Sequence, residues 1–375
     1  MSRKKGNTKE KLINSSIDLF AEKWYETLSI VEICRSAEVS NGVFYRYFKD
    51  KKEIFEFILN EFIINFEEEL KKISGNTLEE RLKSFFDILI LSGKKYKRSI
   101  IIYREGQYRF PVFESKLRNL YICSLEKVFE RKINETEYLF IVSGIRFLNI
   151  RSIFTEINYN ISEAFELVKN GFFLDEIKNF ELIFSEKFVF DEKKSVNSAK
   201  EKLLESGIKL FGDKGYFNVN IHDITNDAGY AVGTFYQNFK SKVEFMSEII
   251  EIIGKNVRKF LRLNSFEDLN RSEKELRGIF CFIKFFNDNL NYYEIVREAE
   301  FIVNEKVIEY YNLFEKGYIK NLESIKIKDK KTTANMLMGI SHYLGIEYLF
   351  QNKIDDIKTF LKDLSVFFNK GINYK

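Results

Sequence analysis

The sequence predicts an all-α protein that is built from two copies of one helical domain, and three observations lead to this fold class. Only one of the 375 residues is proline, and because proline breaks helix interiors, its near absence permits long uninterrupted helices. Apolar residues recur at helical spacing through most of the chain, and no stretch alternates with period two for long enough to make a strand. The segment 9–58 reappears without a gap as 200–249.

The internal repeat indicates a duplicated domain. About 21 of the 50 aligned positions are identical in the two segments. A weaker match continues downstream, where Arg104-Glu105 corresponds to Arg297-Glu298. A solenoid needs at least three short repeats, whereas this chain has two units of about 190 residues. We therefore expect two copies of one domain, joined near the charged stretch 191–197.

Composition excludes several classes of protein. Hydrophobic residues make up 45% of the chain and charged residues 31%, so it can bury cores and is not intrinsically disordered. The three cysteines have no C-x-x-C spacing, which argues against a disulfide framework and favours a reducing cytoplasm. The polar N-terminus does not resemble a secretory signal. The most apolar stretch, 138–154, is interrupted by Arg146 and Arg151, too soon for a membrane span of about 20 residues. We expect a soluble cytoplasmic protein with no membrane partner.

Each copy begins with two helix-start signals and a tight turn. Four pairs have the spacing of a capping box: Asn7 with Glu10, Ser29 with Glu32, Ser198 with Glu201 and Asn220 with Asp223. After the second box in each copy come a short helix, a break, and another short helix that carries Phe44 and Phe48, or Phe235 and Phe239. These i, i+4 pairs face inward, so the residues between them face outward. Two short helices joined by a tight turn over about 20 residues form the helix-turn-helix pattern.

The rest of each copy is predicted to form longer helices. Lys51 and Lys242 each begin a long amphipathic helix, and ten further helices are predicted from apolar spacing: 77–91, 97–108, 112–131, 136–154 and 161–174 in the first copy, and 272–289, 291–303, 305–323, 332–351 and 355–370 in the second.

The helix-turn-helix segments resemble the DNA-binding signature of the tetracycline-repressor (TetR) family. The first copy carries it as Ile33-x-x-x-Ala37 followed by Glu38-Val-Ser-Asn-Gly-Val-Phe-Tyr-Arg-Tyr-Phe-Lys-Asp-Lys51. The second copy is similar from Ile224 to Lys242 but differs from the signature, with Ala231 in place of the capping serine and Asn238 in place of the second aromatic residue. The resemblance covers about 50 residues in each copy.

This resemblance implies a helical ligand-binding and dimerisation domain behind each DNA-binding unit, and dimers that form by four-helix packing of the last two helices. Family members are usually homodimers of single units, so a tandem chain implies a covalent pseudo-dimer. The expected domains are two helix-turn-helix DNA-binding domains, 1–52 and 191–243, and two helical effector and dimerisation domains, 53–190 and 244–375. Further homodimerisation of the whole chain stays open.

The residues expected to contact double-stranded DNA lie on and beside the recognition helices, whose N-terminal halves enter a major groove. The glycines let the backbone approach the DNA, a valine and a threonine methyl group suit thymine, and the amides suit adenine. Tyrosine hydroxyls and lysines at helix starts suit phosphates. The candidates are Ser29, Ser40, Asn41, Gly42, Val43, Tyr45, Arg46, Tyr47 and Lys51 in the first copy, and Asn220, Val232, Gly233, Thr234, Tyr236, Gln237, Asn238 and Lys242 in the second.

Positive charge is concentrated on the two candidate DNA-binding units. Residues 1–52 hold 11 Lys and Arg against 7 Asp and Glu, and 192–243 hold 8 against 6, which suits phosphate neutralisation. The arm Arg3-Lys4-Lys5 is either a further DNA contact or a solvated tail. The second unit either reads DNA or is retained only to complete the pseudo-dimer; the lost serine cap is expected to cost its helix ~1 kcal/mol.

The sequence gives less specific evidence for the binding of an effector. The 39 Phe and 20 Tyr residues suit an apolar ligand cavity, although aromatic residues at helical spacing usually form a core. Arg146, Arg151 and the recurring Arg-Glu pair suit either an anionic effector or, as we favour, internal or interface ion pairs. No catalytic motif, metal site or cofactor motif is recognised, so we do not expect an enzyme.

The sequence therefore predicts a DNA-binding transcriptional regulator, specifically a ligand-responsive repressor whose small-molecule effector is unknown. The alternative is a helical small-molecule sensor or partner protein in which one or both helix-turn-helix units no longer bind DNA.

Overall fold

The computed structural model describes residues 2–155, 157–190, 198–323 and 325–374, with the side chains of 2–7 and 374 excepted. Within these ranges the secondary structure is helical and contains no strand, as predicted. The chain divides into two compact units, Met1–Ile133 and Asn134–Lys375. The repeat junction predicted at 191–197 lies outside the described residues.

The first unit contains seven α-helices in its described part. They are α1 (Ser2–Glu22), α2 (Ile30–Ser36), α3 (Asn41–Phe44), α4 (Lys51–Leu70), α5 (Leu78–Lys95), α6 (Lys97–Arg109) and α7 (Pro111–Phe129), with a 3-10 turn at Tyr25–Thr27.

The second unit contains the remaining described helices. They are α8 (Glu135–Thr155), α9 (Ile161–Asn170), α10 (Phe180–Ile183), α11 (Ala199–Lys214), α12 (Ile221–Asp227), α13 (Val232–Asn238), α14 (Lys242–Leu263), α15 (Arg271–Asp288), α16 (Leu290–Ile302), α17 (Asn304–Asn321), α18 (Lys330–Leu349) and α19 (Ile357–Lys370), with 3-10 turns at Tyr216–Asn218 and Gly371–Tyr374.

Three of the four predicted capping boxes are confirmed. They are the boxes at Ser29, Ser198 and Asn220, each with both reciprocal hydrogen bonds. The prediction at Asn7 is wrong about the helix start, because α1 begins at Ser2. The residues before Asn7 include no proline, and a single glycine lowers helix stability by only about 1 kcal/mol without ending the helix. The backbone of the arm Arg3-Lys4-Lys5 therefore continues α1, while its side chains lie outside the described part.

One predicted helix is shorter than expected. The sequence predicts a helix over 161–174, whereas α9 ends at Asn170 because Gly171 adopts φ +89°. A β-carbon at Gly171 would lie 2.7 Å from the Phe368 carbonyl oxygen, so a glycine is needed both for the turn and for this close approach.

Two helices from the C-terminal part of each copy pack together inside the second unit, as the resemblance implied, although the short helix α10 follows α9 in the first copy. α8 and α9 of the first copy lie against α18 and α19 of the second. At the crossing of α8 and α18, a β-carbon on Gly339 would lie 2.5 Å from Phe147 Cβ and 3.1 Å from Gly144 Cα. The two helix backbones thus approach closely where both helices carry glycine.

Helix α8 is long and apolar enough, by length and composition, to cross a membrane. It is mostly buried, against α18, α19 and α9. Burial in the interior of the second unit therefore accounts for its apolar sequence.

Candidate nucleic-acid interface and effector cavity

The two helix-turn-helix segments share one backbone conformation at the turn. Glu38 and Gly229, which are equivalent in the repeat, adopt φ +55° and +76°. In each copy the next amide closes the turn: Val39 N–H donates to Cys34 O at 2.9 Å and Tyr230 N–H donates to Thr225 O at 2.8 Å. A left-handed residue is needed to end the first helix and aim the second, and glycine adopts this conformation without the strain that glutamate bears.

The inward faces of the recognition helices are buried as predicted. Phe44 and Phe48 in the first copy, and Phe235 and Phe239 in the second, are at most 3% exposed. The helices are shorter than predicted, because α3 ends at Phe44 and α13 at Asn238, so that Phe48 and Phe239 follow the helices. Each buried pair still fixes which side of the segment faces outward.

The outer face of the first recognition helix is open to solvent. Tyr45 is 58% exposed, Asn41, Gly42 and Arg46 are exposed, and Val43 and Tyr47 are half-buried. A β-carbon on Gly42 would approach nothing closer than Ser40 Oγ at 4.0 Å. The residues predicted to contact DNA thus form one accessible surface, although the contact itself stays a prediction.

The second recognition helix presents a matching surface. Tyr236 is 57% and Val232 37% exposed, and a β-carbon added to Gly233 would have nothing within 4 Å among the described residues. Gln237 is exposed and Thr234 is half-buried. The Asn238 amide donates Nδ2–H to the Thr234 carbonyl at 2.8 Å, so in this conformation one of its donors is used within the helix.

The predicted cost of the missing serine cap is wrong. Ser40 occupies the N-cap of α3 but makes no side-chain capping hydrogen bond, so Ala231 at the same place in the second copy loses none. The second copy even has the longer recognition helix, seven residues against four. Ser29 and Asn220 are exposed, and their side chains accept the Glu32 and Asp223 amides.

Lys51 and Lys242 make backbone contacts that the sequence did not predict. Lys51 Nζ donates to the carbonyls of Tyr25 and Leu28 at 2.6 and 2.7 Å, and lies 4.3 Å from the centre of the Tyr25 ring. Lys242 repeats this arrangement with Tyr216 and Val219 at 2.7 Å. Burial lowers the pKa of both lysines. Each ammonium group therefore ties a long helix to the preceding 3-10 turn, and its contact with a phosphate stays a prediction.

The repeated glutamates hold the same turns from the other side, which the sequence did not predict. Glu298 Oε2 accepts the Tyr216 N–H at 2.8 Å, and Glu105 accepts the Tyr25 N–H at 3.0 Å. Arg109 lies 3.3 Å from Glu105, yet burial raises the pKa of Glu105 to about 7. We call each set of lysine, turn and glutamate a clamp: Lys51, Tyr25 and Glu105 in the first copy, and Lys242, Tyr216 and Glu298 in the second.

The buried arginine of α8 forms an interface contact, as favoured from the sequence. Arg151 is 3% exposed and its Nη2 lies 2.7 Å from Asn312 Oδ1 and 3.5 Å from Glu315 Oε2, both in the second copy. The Arg146 guanidinium lies 4.2 Å from the centre of the Tyr343 ring. Both arginines thus join the two copies.

A cavity of about 790 Å³ lies in the helical domain of the second copy. Its walls come from α14 to α18 and the loop before α15, and combine aromatic rings with arginines. The aromatic lining is Phe282, Phe286, Tyr293, Tyr310, Tyr311, Phe314 and Tyr318, and the arginines are Arg258, Arg262, Arg271, Arg277 and Arg297. The volume is in the range of small-molecule sites.

The cavity and the clamp of the second copy meet on one helix. Tyr293, Val296 and Arg297 of α16 line the cavity, and the next residue, Glu298, holds the Tyr216 turn. A displacement of α16 would therefore act directly on the turn that precedes the helix-turn-helix.

Comparison with known proteins gives a family match in each copy. Residues 12–58 and residues 203–249 each match the family described as bacterial regulatory proteins, tetR family. The chain carries two tetR-family domains. Each tetR match begins in the first helix of its copy, contains the helix-turn-helix and ends in the long helix that follows.

Two relatives of this tandem tetR chain are named as transcriptional regulators. The "Probable HTH-type transcriptional regulator YttP" of Bacillus subtilis is 28% identical over 138 residues, which are 36% of this chain and 66% of that protein. The HTH-type transcriptional regulator HbdR of Aromatoleum sp. is 36% identical over 70 residues, 18% of this chain and 31% of that protein. The chain thus spans less than two thirds of the length of either relative. Among solved structures, the fatty acid degradation regulator FadR of Bacillus halodurans is 14% identical with a TM-score of 0.41, over 48% of this chain and 98% of that one.

Proposed function

We propose that this chain is a cytoplasmic transcriptional regulator that binds double-stranded DNA with two non-identical helix-turn-helix units. The observation that carries the proposal is the pair of exposed recognition-helix faces, centred on Tyr45 and Tyr236, within two tetR-family matches. Because the two faces carry different side chains, the operator is expected to be asymmetric, with the two units in neighbouring major grooves about 34 Å apart.

We further propose that a small molecule in the cavity of the second copy releases the DNA, so that the protein acts as a repressor. Helix α16 supports this coupling, since it lines the cavity and holds the Tyr216 turn through Glu298. A ligand shifts such an equilibrium only if it binds the two conformations with different affinities. Binding of the effector and binding of the operator are then expected to weaken each other by the same factor.

The two DNA-binding surfaces are expected to contribute unequally. The first carries the exposed cations Arg35, Arg46 and Lys49, whereas the equivalent positions of the second are Asn226, Gln237 and Lys240. The salt-dependent part of affinity follows the number of phosphates that cations neutralise. We therefore expect the first unit to supply more of the electrostatic attraction, and the second to add selectivity through its amides.

The proposal is tested by selecting bound duplexes from random DNA with the full chain and then titrating the selected operator at several salt concentrations. Arg46→Ala is expected to lower the slope of log K against log salt by about 1. Lys83→Ala, which removes an exposed positive charge from α5, serves as the matched control and is expected to leave the slope unchanged. Tyr236→Ala tests whether the second unit contributes to the footprint.

The same titration distinguishes the proposed function from the alternative function. A helical sensor or partner protein without DNA binding predicts no steeply salt-dependent affinity for any duplex. A perfect inverted repeat bound by a single chain would contradict the asymmetric operator. Sedimentation of the complex shows whether one chain or a homodimer occupies the site.

A further inference from the structure

Two arginines that line the cavity of the second copy, Arg258 and Arg277, have no ion pair and each have a buried guanidinium nitrogen without an acceptor among the described residues. The first, Arg277, is 1% exposed and donates Nε–H to Asn264 O at 3.0 Å and Nη1–H to the Ile183 and Ser185 carbonyls at 3.0 and 2.6 Å. Its Nη2 is buried and has no hydrogen-bond acceptor among the described residues. The Arg277 guanidinium is held by these carbonyls and by the rings of Phe188, Phe266 and Phe280, so no anionic group offsets its charge, which is costly to bury unpaired.

Arg258, on another wall of the cavity, also has a guanidinium nitrogen without an acceptor among the described residues. Its guanidinium lies 5.5 Å from the centre of the Phe314 ring, and its Nη1 is buried without an acceptor in the described part of the chain. Burial lowers the pKa of Arg258, although arginine stays protonated in proteins. Two cations from different helices thus line the same cavity, and each has one buried N–H donor without an acceptor among the described residues.

The buried carboxylate of the cavity is already engaged by protein groups. Glu275 Oε2 lies 2.5 Å from Arg271 Nη2, and Glu275 Oε1 accepts the Tyr318 hydroxyl at 3.0 Å. The other acidic lining residue, Glu267, has a fully exposed side chain at the rim. Neither therefore forms an ion pair with Arg258 or Arg277. Glu309, whose charge acts on Arg258 from outside the lining, is exposed and lies 3.0 Å from Lys306, so the cavity lining keeps an excess of arginines over carboxylates.

The first copy carries other residues at the positions that correspond to this set. In the alignment of the two copies, Glu67 corresponds to Arg258. When the starts of α5 and α15 are aligned, Ser84 corresponds to Arg277. Leu82 and Leu125 stand where the second copy has Glu275 and Tyr318, and both leucines are fully buried. At two of these four positions the first copy thus has a buried leucine where the second copy has a polar residue of the cavity wall.

We infer that the effector of this regulator is an amphipathic organic anion, with a carboxylate or phosphate group bound by Arg258 and Arg277 and an apolar body against the aromatic walls, and that it binds in the second copy. This inference rests on the proposed effector role of the cavity. Charge-assisted hydrogen bonds from arginine favour such a head group, and Phe282, Phe286 and Phe314 favour an aliphatic or aromatic body over a polar one.

The test measures binding to the full chain by calorimetry with matched probes. Decanoate is compared with decanol, 2-naphthoate with its methyl ester, and inorganic phosphate is titrated alone. The acids are expected to bind about tenfold or more tightly than their neutral analogues, since hydrogen bonds to charged groups contribute about 1.5–3 kcal/mol. The aliphatic and aromatic pairs distinguish the two kinds of body. Binding of phosphate alone as tightly as the acids would overturn the amphipathic part of the inference.

Substitution assigns the preference to these arginines. Arg258→Gln is expected to reduce the preference for acid over neutral analogue to less than about threefold. Arg262→Gln, at an exposed arginine of the cavity rim, is the matched control and is expected to keep it. Because Arg277→Gln can impair folding, it is interpreted only where its thermal unfolding matches that of the unaltered chain. Equal affinity for acids and neutral analogues, or an unchanged preference in Arg258→Gln, would overturn the inference.

The same titrations separate this inference from the proposed function. Fluorescence anisotropy of the labelled operator is recorded with each probe. An acid that binds through Arg258 without releasing DNA supports the anion site and contradicts its effector role. Operator binding that is released only by neutral compounds supports regulation and contradicts the anion site.

Discussion

Glu298 accepts the backbone N–H of Tyr216 across 82 positions of sequence, at 2.8 Å. The contact joins a helix that lines the cavity to the turn before a helix-turn-helix, and Lys242 holds the carbonyl of the same residue at 2.7 Å. Tyr216 is thus bound at both its amide and its carbonyl. The equivalent clamp on Tyr25 shows that both copies of the repeat have this arrangement.

Glu298→Ala is expected to loosen the second helix-turn-helix. The substitution leaves the Tyr216 amide buried without its acceptor, which costs about 1–3 kcal/mol. Hydrogen-exchange mass spectrometry should then show faster exchange in the peptide that contains Tyr216, and effector should release DNA less completely. Glu298→Gln keeps an acceptor oxygen and is expected to retain slow exchange; equal exchange in all three proteins would argue against the clamp.

Lys51→Met is expected to lower stability while leaving the salt dependence of DNA binding unchanged. The substitution keeps the length of the side chain but leaves two carbonyls without their donor, at a cost of about 1–3 kcal/mol. Urea unfolding followed by the fluorescence of Trp24, the single tryptophan, measures the first unit. A slope that falls by about 1 with unchanged stability would restore the phosphate contact predicted from the sequence.

The first unit is expected to become less stable as pH rises towards 8 because of Glu105. Its folded pKa of about 7 lies above the value of about 4.3 for an unfolded glutamate. The stability that the protonated group contributes is therefore complete below about pH 4.3 and is lost as pH rises through 7. Trp24 fluorescence should show that Glu105→Gln flattens this dependence between pH 5 and 8. The exposed control Glu61→Gln should retain it; an unchanged profile in Glu105→Gln would contradict the assignment.

Gly339→Ala is expected to destabilise the second unit by about 1–3 kcal/mol, the usual range for overpacking. Its β-carbon would lie 2.5 Å from Phe147 Cβ and 2.7 Å from the Ser143 carbonyl oxygen. Gly317→Ala in α17 is the matched control, since its β-carbon meets nothing within 4 Å in the described part of the chain and replacing a helical glycine by alanine stabilises by about 0.5–1 kcal/mol. Urea unfolding followed by circular dichroism measures both. Similar effects of the two substitutions would contradict close packing at the crossing.

Local signals allowed most of the fold to be predicted. The capping boxes at Ser29, Ser198 and Asn220 mark helix starts because donor and acceptor are only three residues apart. The exposure of Tyr45 and Tyr236 follows from the spacing of the buried phenylalanine pairs that flank them in the sequence. The four-helix packing of α8, α9, α18 and α19 was implied by the family resemblance alone.

The contacts between segments that are far apart in the chain could not be predicted from the sequence. A lysine at a helix start suggests an anion site, and only the fold shows that Lys51 faces the carbonyls of Tyr25 and Leu28. The spacing of Arg258 and Arg277 does not distinguish a solvated helix face from a cavity wall. That distinction depends on the neighbouring helices, which place Phe314 beside Arg258 and three carbonyls around Arg277.

The contacts of Arg151 have a consequence for which parts of the chain can pair with each other. The alignment of Phe147-Leu148 with Tyr343-Leu344 puts Glu347 of the second copy where the first has Arg151, so an arginine cannot make the reciprocal contact. In an interface between identical subunits both partners contribute the same residues. In this interface the two copies contribute different, complementary residues. If the chain is cut between the two copies, the two different halves should associate with each other, and neither half should form a homodimer.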